Sequence, residues 1–179
     1  MNHNFSYTEL YVSCPGCGNP IRVPDESGVE IICKSCDFEA IHSKQIKYSC
    51  YLKFLIGNNN EYLYRIPGDI IIGRNKKHFL TIQDPITKTE EEIPIRISEV
   101  SKNHNRISVS ERYETKEIDG KRYVINYPQC KIEDNASLNG TGVNGNYIRE
   151  KIVLKHGDKI ILAPDCKQFV EIEYLIKRS

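Results

Sequence analysis

Two short cysteine pairs constrain this chain more than any other feature. Cys14 and Cys17 flank Pro15-Gly16, Cys33 and Cys36 flank Lys34-Ser35, and fifteen residues without a helical pattern separate the pairs. The spacing is that of a tetrahedral four-thiolate metal site, in which the two-residue gap lets both thiolates of one tight turn reach a single ion. Each pair is expected at a hairpin tip, with Gly16 and Gly18 supplying the backbone freedom of the turns. A stretch of about 45 residues has too little interior to fold by apolar burial alone. Residues 1–44 are therefore read as a ribbon folded around one structural Zn2+ ion held by Cys14, Cys17, Cys33 and Cys36. Two disulfides or a four-thiolate iron site would use the same residues. A closed set of four protein ligands leaves no open position for catalysis, so the ribbon is expected to be structural or a binding platform.

The chain carries 25 Lys and Arg against 24 Asp and Glu, net +1, a balance that does not announce a nucleic-acid partner. Residues 1–48 hold four Lys and Arg (Arg22, Lys34, Lys44, Lys47) and six Asp and Glu (Glu9, Asp25, Glu26, Glu30, Asp37, Glu39), net −2. That count weighs against DNA as the target of the ribbon, although Arg22, Lys34 and Lys44 could still cluster. No apolar run approaches the about 20 residues of a membrane span, and the opening residues do not read as a signal peptide. Two paired-cysteine turns plus three scattered cysteines point to a reducing, cytoplasmic setting. The scattered three, Cys50, Cys130 and Cys166, read as small buried apolar residues.

Residues 1–10 are polar and expected to fray, with Tyr7, Leu10 and Tyr11 able to start a strand. Ser43–Lys47 has no turn punctuation, so the linker is expected to be short. From residue 48 onward the pattern is one of short strands. Tyr51–Ile56 and Tyr62–Ile66 flank Gly57-Asn58-Asn59-Asn60, residues that tolerate the positive φ of a hairpin turn. Asp69–Gly73 follows the turn Pro67-Gly68. Ile93–Ile97, Arg106–Val109, Arg122–Asn126, Lys159–Leu162 and Phe169–Ile176 alternate apolar with polar residues. No window carries a 3.6-residue stripe, and Ile supplies 25 of 179 residues, which favours strands. Residues 45–179 are accordingly predicted to form an all-β sandwich. Asn75–Glu92 is expected to be the longest irregular stretch, with Glu90-Glu91-Glu92 as a solvated loop.

Three loop segments concentrate groups suited to an anion. They are Ile70-Ile71-Ile72-Gly73-Arg74-Asn75, Val100-Ser101-Lys102-Asn103-His104-Asn105-Arg106-Ile107, and Asp134-Asn135-Ala136-Ser137-Leu138-Asn139-Gly140-Thr141-Gly142-Val143-Asn144-Gly145. Arg offers a bidentate fork to phosphate oxygens, Ser a hydroxyl, and turn backbones N–H groups. In this order, with Gly157-Asp158 following, the segments resemble the forkhead-associated (FHA) domain, a β-sandwich that reads phosphothreonine. The family pattern is Gly-Arg, Ser-x-x-His, Ser-x-Asn-Gly-Thr-x-Val-Asn-Gly and a late Gly-Asp. The resemblance implies that Arg74 and Ser101 bind the phosphate, that Lys102 approaches it, and that Asn139 holds the main chain of the ligand. It further implies that His104 braces the loops from beneath, and that Gly73, Gly140 and Thr141 support the site. Many family members carry a hydroxyl residue where this chain has Leu138. The 26 residues between Arg74 and Ser101 also make a long segment.

Gly140-Thr141-Gly142-Val143-Asn144-Gly145 also spells G-x-G-x-x-G, but that fingerprint requires a following helix, and Asn144-Gly145-Asn146 breaks one. Ser101, His104 and Asp134 could be arranged as nucleophile, base and orienter, yet no nucleophile elbow or α/β framework accompanies them. The chain is thus read as a non-enzymatic, phosphothreonine-dependent adaptor. A ribbon followed by an FHA domain is similar to crenarchaeal regulators of archaellum (motility) expression. That resemblance implies a partner with a von Willebrand type A domain, and a Ser/Thr kinase and phosphatase upstream. The alternative is a transcription factor, with the ribbon on DNA and the FHA domain as its phospho-switch.

Overall fold

The computed structural model describes residues 10–56 and 60–179. The expectations placed on Tyr7 and on the turn residues 57–59 fall outside them. Among the described residues every regular element is a strand, and no helix is long and apolar enough to cross a membrane. The chain divides into two compact units. One comprises the first 48 residues with Glu111–Tyr127 and Ser179, the other Ser49–Ser110 with Pro128–Arg178.

In the first unit each cysteine pair sits at the tip of a two-stranded hairpin. β1 (Leu10–Ser13) and β2 (Pro20–Val23) flank Cys14–Cys17, and β3 (Glu30–Ile32) and β4 (Glu39–Ser43) flank Cys33–Cys36. Gly18 turns at φ +75, as expected of a knuckle. Gly16 is there for space instead: a Cβ on it would lie 3.2 Å from Cys36 Sγ. Alternation along the strands turns Val12, Ile21, Val23, Ile31 and Ala40 inward, and with Cys14, Cys33, Phe38 and Val124 they make a small core. Val124 arrives on a parallel pairing of residues 123–125 with Ile41, His42 and Ser43.

The second unit is a sandwich of two sheets. β5 (Tyr48–Ile56) and β6 (Asn60–Arg65) lie at one side of a sheet that continues through β12 (Thr141–Val143), β13 (Asn146–Tyr147), β15 (Lys159–Leu162) and β16 (Val170–Arg178), in the order β13-β12-β15-β16-β5-β6. The facing sheet has the order β11-β10-β7-β8-β9, built from β7 (Ile70–Arg74), β8 (Phe79–Gln83), β9 (Glu90–Arg96), β10 (Asn105–Ile118) and β11 (Lys121–Asp134). The short β14 (Ile152–Val153) pairs with β11. Registers Ile72↔Ile82 and Ile160↔Ile172 place isoleucines opposite each other on the inner faces. β-branched side chains suit this position because they lose little rotamer freedom on a pleated surface.

Three details differ from the sequence reading. Asn75–Glu92 is not irregular throughout: it contains β8, whose Leu80, Thr81 and Ile82 are all buried. Three consecutive inward or covered residues hide the two-residue alternation that marks a half-exposed strand. Glu90-Glu91-Glu92 is exposed as expected, but as the start of β9, the outermost strand of its sheet. Charge on such a strand discourages edge-to-edge pairing. In addition, Arg106–Val109 and Arg122–Asn126 are parts of two 14-residue strands joined at Asp119-Gly120, both at positive φ.

Candidate functional site

The three anion-suited segments meet at one end of the sandwich. Arg74 closes β7, residues 97–104 connect β9 to β10, and residues 135–140 connect β11 to β12. Gly73 sets how closely the first two approach. A Cβ at this position would fall 1.7 Å from the carbonyl oxygen of Lys102 and 2.4 Å from its carbon, so only glycine allows the contact.

His104 locks the loops from below. It is fully buried. Its Nδ1 accepts the Ser101 backbone N–H at 3.0 Å, and its Nε2–H donates to the Gly140 carbonyl at 2.8 Å. One neutral tautomer satisfies both bonds, and burial holds the ring below the ordinary histidine range, against the opposing pull of the Gly140 carbonyl and Asp134. Both ring nitrogens are committed, and neither contacts the Ser101 hydroxyl, so the nucleophile–base pair weighed above is not assembled. Further bonds stitch the same two loops: Asn135 N to the His104 carbonyl at 2.9 Å, Leu138 N to Ser101 Oγ at 3.1 Å, and Asn139 Nδ2 to the Glu99 carbonyl at 2.8 Å. Ser101 Oγ is an acceptor in this arrangement, which leaves its proton free to donate outward.

Beneath the 135–140 loop lies a hub on Asp134 that the sequence reading missed as a structural element. Its carboxylate accepts Ser137 N at 2.8 Å, Ser137 Oγ at 2.7 Å and Thr141 Oγ1 at 2.7 Å. Thr141 Oγ1 in turn accepts from Asn105 Nδ2 at 2.8 Å, with Thr141 and Asn105 both fully buried. Burial raises the Asp134 carboxyl, but the Thr141 and Ser137 donors outweigh it and hold the group below its usual range. The Asp134 bonds fasten a turn in which Ala136 takes a left-handed φ of 52, a conformation that costs an L-residue about 1–2 kcal/mol. The signal was available as Asp134-x-x-Ser137, the spacing at which an Asp carboxylate caps the N–H three residues on. Gly140, at φ +69, packs where a Cβ would lie 2.6 Å from the Tyr147 ring. Tyr147 is a second contributor the sequence did not reveal.

Above this scaffold the chemistry is cationic and donor-rich. Arg74, Lys76, Lys77, Lys102 and Asn103 line a cavity of about 470 Å³ together with Glu90 and Glu92, while Ser101, His104 and Asn139 are outside its lining; Glu92 accepts from Asn75 Nδ2 at 2.7 Å, beside Arg74. Arg74 Nε is buried without a hydrogen-bond partner. A buried donor left without a partner is costly. Leu138 stands 88% exposed beside Ser101.

In the first unit the four predicted sulfurs converge. Cys14, Cys17, Cys33 and Cys36 Sγ all lie within 4.8 Å of one another, with Cys14–Cys36 at 3.5 Å and Cys17–Cys33 at 3.6 Å. The edge of a tetrahedron of thiolates about 2.3 Å from a central ion is about 3.8 Å, so the set fits a metal. Backbone N–H groups of Gly16 and Cys17 point at Cys14 Sγ, that of Asn19 at Cys17, and that of Phe38 at Cys36. Such donors stabilise thiolate charge.

The family model for the FHA domain matches residues 70–163, just over half of the 179-residue chain. The chain belongs to the FHA domain family. Among solved structures it is similar to that of the Rv0020c FHA domain, at 21% identity and TM-score 0.44, over 75% of this chain and 98% of that one. It is also similar to the FHA domain of the CT664 protein from Chlamydia trachomatis, at 19% and 0.45, over 71% and 96%. A third is the yeast Dun1 FHA domain in complex with a doubly phosphorylated (pT) peptide, at 20% and 0.44, over 76% and 80%. No curated protein matches the sequence.

Proposed function

We propose that the sandwich binds a phosphothreonine-containing segment of a partner protein, and that the chain is a non-enzymatic, cytoplasmic adaptor whose ribbon is held by one structural zinc ion. The observation that carries this reading is the Arg74 guanidinium, with its buried and unpartnered Nε, in a loop cradle already braced by His104 and Asp134. A phosphothreonine brings about −1.5 to −2 charges and three acceptor oxygens, which the Arg74 fork and the Ser101 hydroxyl would meet with charge-assisted bonds. Lys102 adds positive charge, and Asn139, tied to Glu99, would present its remaining polar atoms to the main chain of the ligand. Zinc suits the ribbon because a tetrahedral four-cysteine set is the donor chemistry that ion takes in structural sites.

As the partner we propose a von Willebrand type A domain protein, phosphorylated and dephosphorylated by a Ser/Thr kinase and phosphatase in the control of archaellum expression, on the strength of the ribbon-then-FHA order. The DNA-binding alternative is weakened by charge: the first unit carries eight Lys and Arg against ten Asp and Glu, net −2. Capture of partners from lysate with and without phosphatase treatment tests the reading. Partners should be lost on dephosphorylation. Retention of the same partners after dephosphorylation, or a promoter gel shift with a steep salt dependence, would favour the alternative.

A further inference from the structure

Two neighbouring residues, His104 just before β10 and Asn105 at its start, hold the end of the 135–140 loop. His104 holds the Gly140 carbonyl, and Asn105, equally buried, holds the Thr141 hydroxyl. The direction of the second bond is forced. The Asp134 carboxylate, kept below its usual range, is ionised at neutral pH and can only accept. Thr141 Oγ1 therefore donates its one proton to Asp134, at 2.7 Å, and can only accept from Asn105, at 2.8 Å. So Asn105 turns Nδ2 to Thr141, with a longer contact of 3.3 Å to the Glu133 carbonyl. Its Oδ1 is left buried with no hydrogen-bond partner among the described residues. A buried acceptor left idle lowers stability. An apolar side chain of the same size would avoid that cost, so what asparagine supplies here is its donor.

From Asn105 a series of bonds leads to the site. Thr141 donates to Asp134, and the same carboxylate accepts Ser137 N at 2.8 Å and Ser137 Oγ at 2.7 Å. The next amide along the turn, Leu138 N, donates to Ser101 Oγ at 3.1 Å. We propose, on the basis of the phosphothreonine reading, that Asn105 is a positioning residue for Ser101. Its amide commits the Thr141 hydroxyl to Asp134, and Asp134 fixes the turn at Ser137. The turn in turn sets Leu138 N on Ser101 Oγ, so that the Ser101 proton faces the phosphate. Fully buried, Asn105 does not reach a ligand and acts only through the order of the loop. Hydrogen bonds in such a chain polarise and strengthen one another, which extends the influence of the first donor to the last acceptor.

The intact chain, Ser101→Ala, Asn105→Leu and the double variant test this. The probe is a phosphothreonine peptide that the native chain selects from a library with fixed phosphothreonine and degenerate flanks. Asn105→Leu removes the donor and the idle acceptor together, so its melting temperature should match or exceed that of the native chain. Binding should nevertheless weaken about fivefold, the scale of one hydrogen bond. The double variant should bind no more weakly than Ser101→Ala alone, because Asn105 acts through that hydroxyl; independent roles would multiply their losses. In the ligand-free chain the Ser137 and Leu138 amides should exchange about tenfold faster in Asn105→Leu, with the Ile107 amide, paired within β10 and β7, unchanged. Asn105→Asp keeps the size but has no donor when ionised, and carries the same prediction for binding and exchange if Asn105→Leu does not fold. Undiminished binding, a silent Ser101→Ala, multiplied losses in the double variant, or unchanged exchange at Leu138 overturns the proposal. So does a loss of binding in Asn105→Leu that comes with a lowered melting temperature, the mark of a merely structural role. A native chain that selects no phosphorylated peptide overturns the phosphothreonine reading itself, and the exchange measurement still decides whether Asn105 holds the loop.

Discussion

The two units hold themselves together by different means. Among the described residues the sandwich core contains 21 buried residues, ten of them isoleucine, whereas the core of the first unit contains nine, and two of those nine, Cys14 and Cys33, are metal-suited cysteines. In the sandwich, apolar burial and the phosphate-suited loops are separate: Ile72 and Leu80 fill the interior while Arg74 and Ser101 stand at its end. In the first unit the same sulfurs serve as core and as donor set. The difference teaches that one unit should be as stable as its metal, and the other as its packing.

The largest expected effect follows from that contrast. Structural zinc contributes about 10–16 kcal/mol to small finger-like modules at neutral pH. Chelation of the full chain should therefore expose the amides of β1 to β4 to hydrogen exchange, and those of residues 123–125 with them, because Val124 belongs to the same core. Amides of Leu52, Ile72 and Ile172 should stay protected. Loss of protection in both units would break the comparison.

Next comes Gly73→Ala. With the Lys102 carbonyl 1.7 Å from the new Cβ, the loop must move. The cost should reach the upper end of the about 1–3 kcal/mol typical of overpacking, seen as a lowered sandwich transition with metal content of the ribbon unchanged. A silent substitution would mean that the Gly73–Lys102 contact does not define the loop.

The smallest effect is that of pH on His104. Its folded ring titrates below the value of about 6.5 for a free histidine, since burial disfavours the charge. The unfolded chain thus binds the proton first as pH falls. The contribution of His104 is complete above about 6.5 and is lost on acidification through the folded value. Protonation of Nδ1 also removes the acceptor for Ser101 N. Melting between pH 7.5 and 5.5 should show a shallower pH dependence in His104→Asn than in the native chain. An unchanged slope would assign the acid sensitivity elsewhere.

How much of this was legible in the sequence depended on whether the chemistry was local. Cysteine spacing within one turn is a local constraint, and it located all four sulfurs. Gly73, Ser101, His104 and Asn139 stood out because each lies in a short motif with its own geometry. Asp134 was weighed only as a catalytic orienter, since its partners Ser137 and Thr141 acquire meaning through a fold-specific turn. β8 was hidden by its burial on successive residues. The Asp119-Gly120 hairpin carried a local signal, a dipeptide suited to positive φ, that went unused. The placement of Val124 in the core of the first unit had no signal at all, because it depends on a parallel pairing between residues about 80 apart in sequence and such pairings are set by tertiary packing.

The central claim is that the Arg74 guanidinium binds a phosphate. Titration calorimetry of the intact chain with a phosphothreonine peptide of the partner, its unphosphorylated form, and the Arg74→Ala variant tests it most directly. Removing one partner of a desolvated charge pair costs about 2–5 kcal/mol, so the variant should bind well over tenfold more weakly, and the unphosphorylated peptide should not bind measurably. Equal affinity for the two peptides would contradict phospho-reading, and undiminished binding by Arg74→Ala would place the partner surface elsewhere on the sandwich.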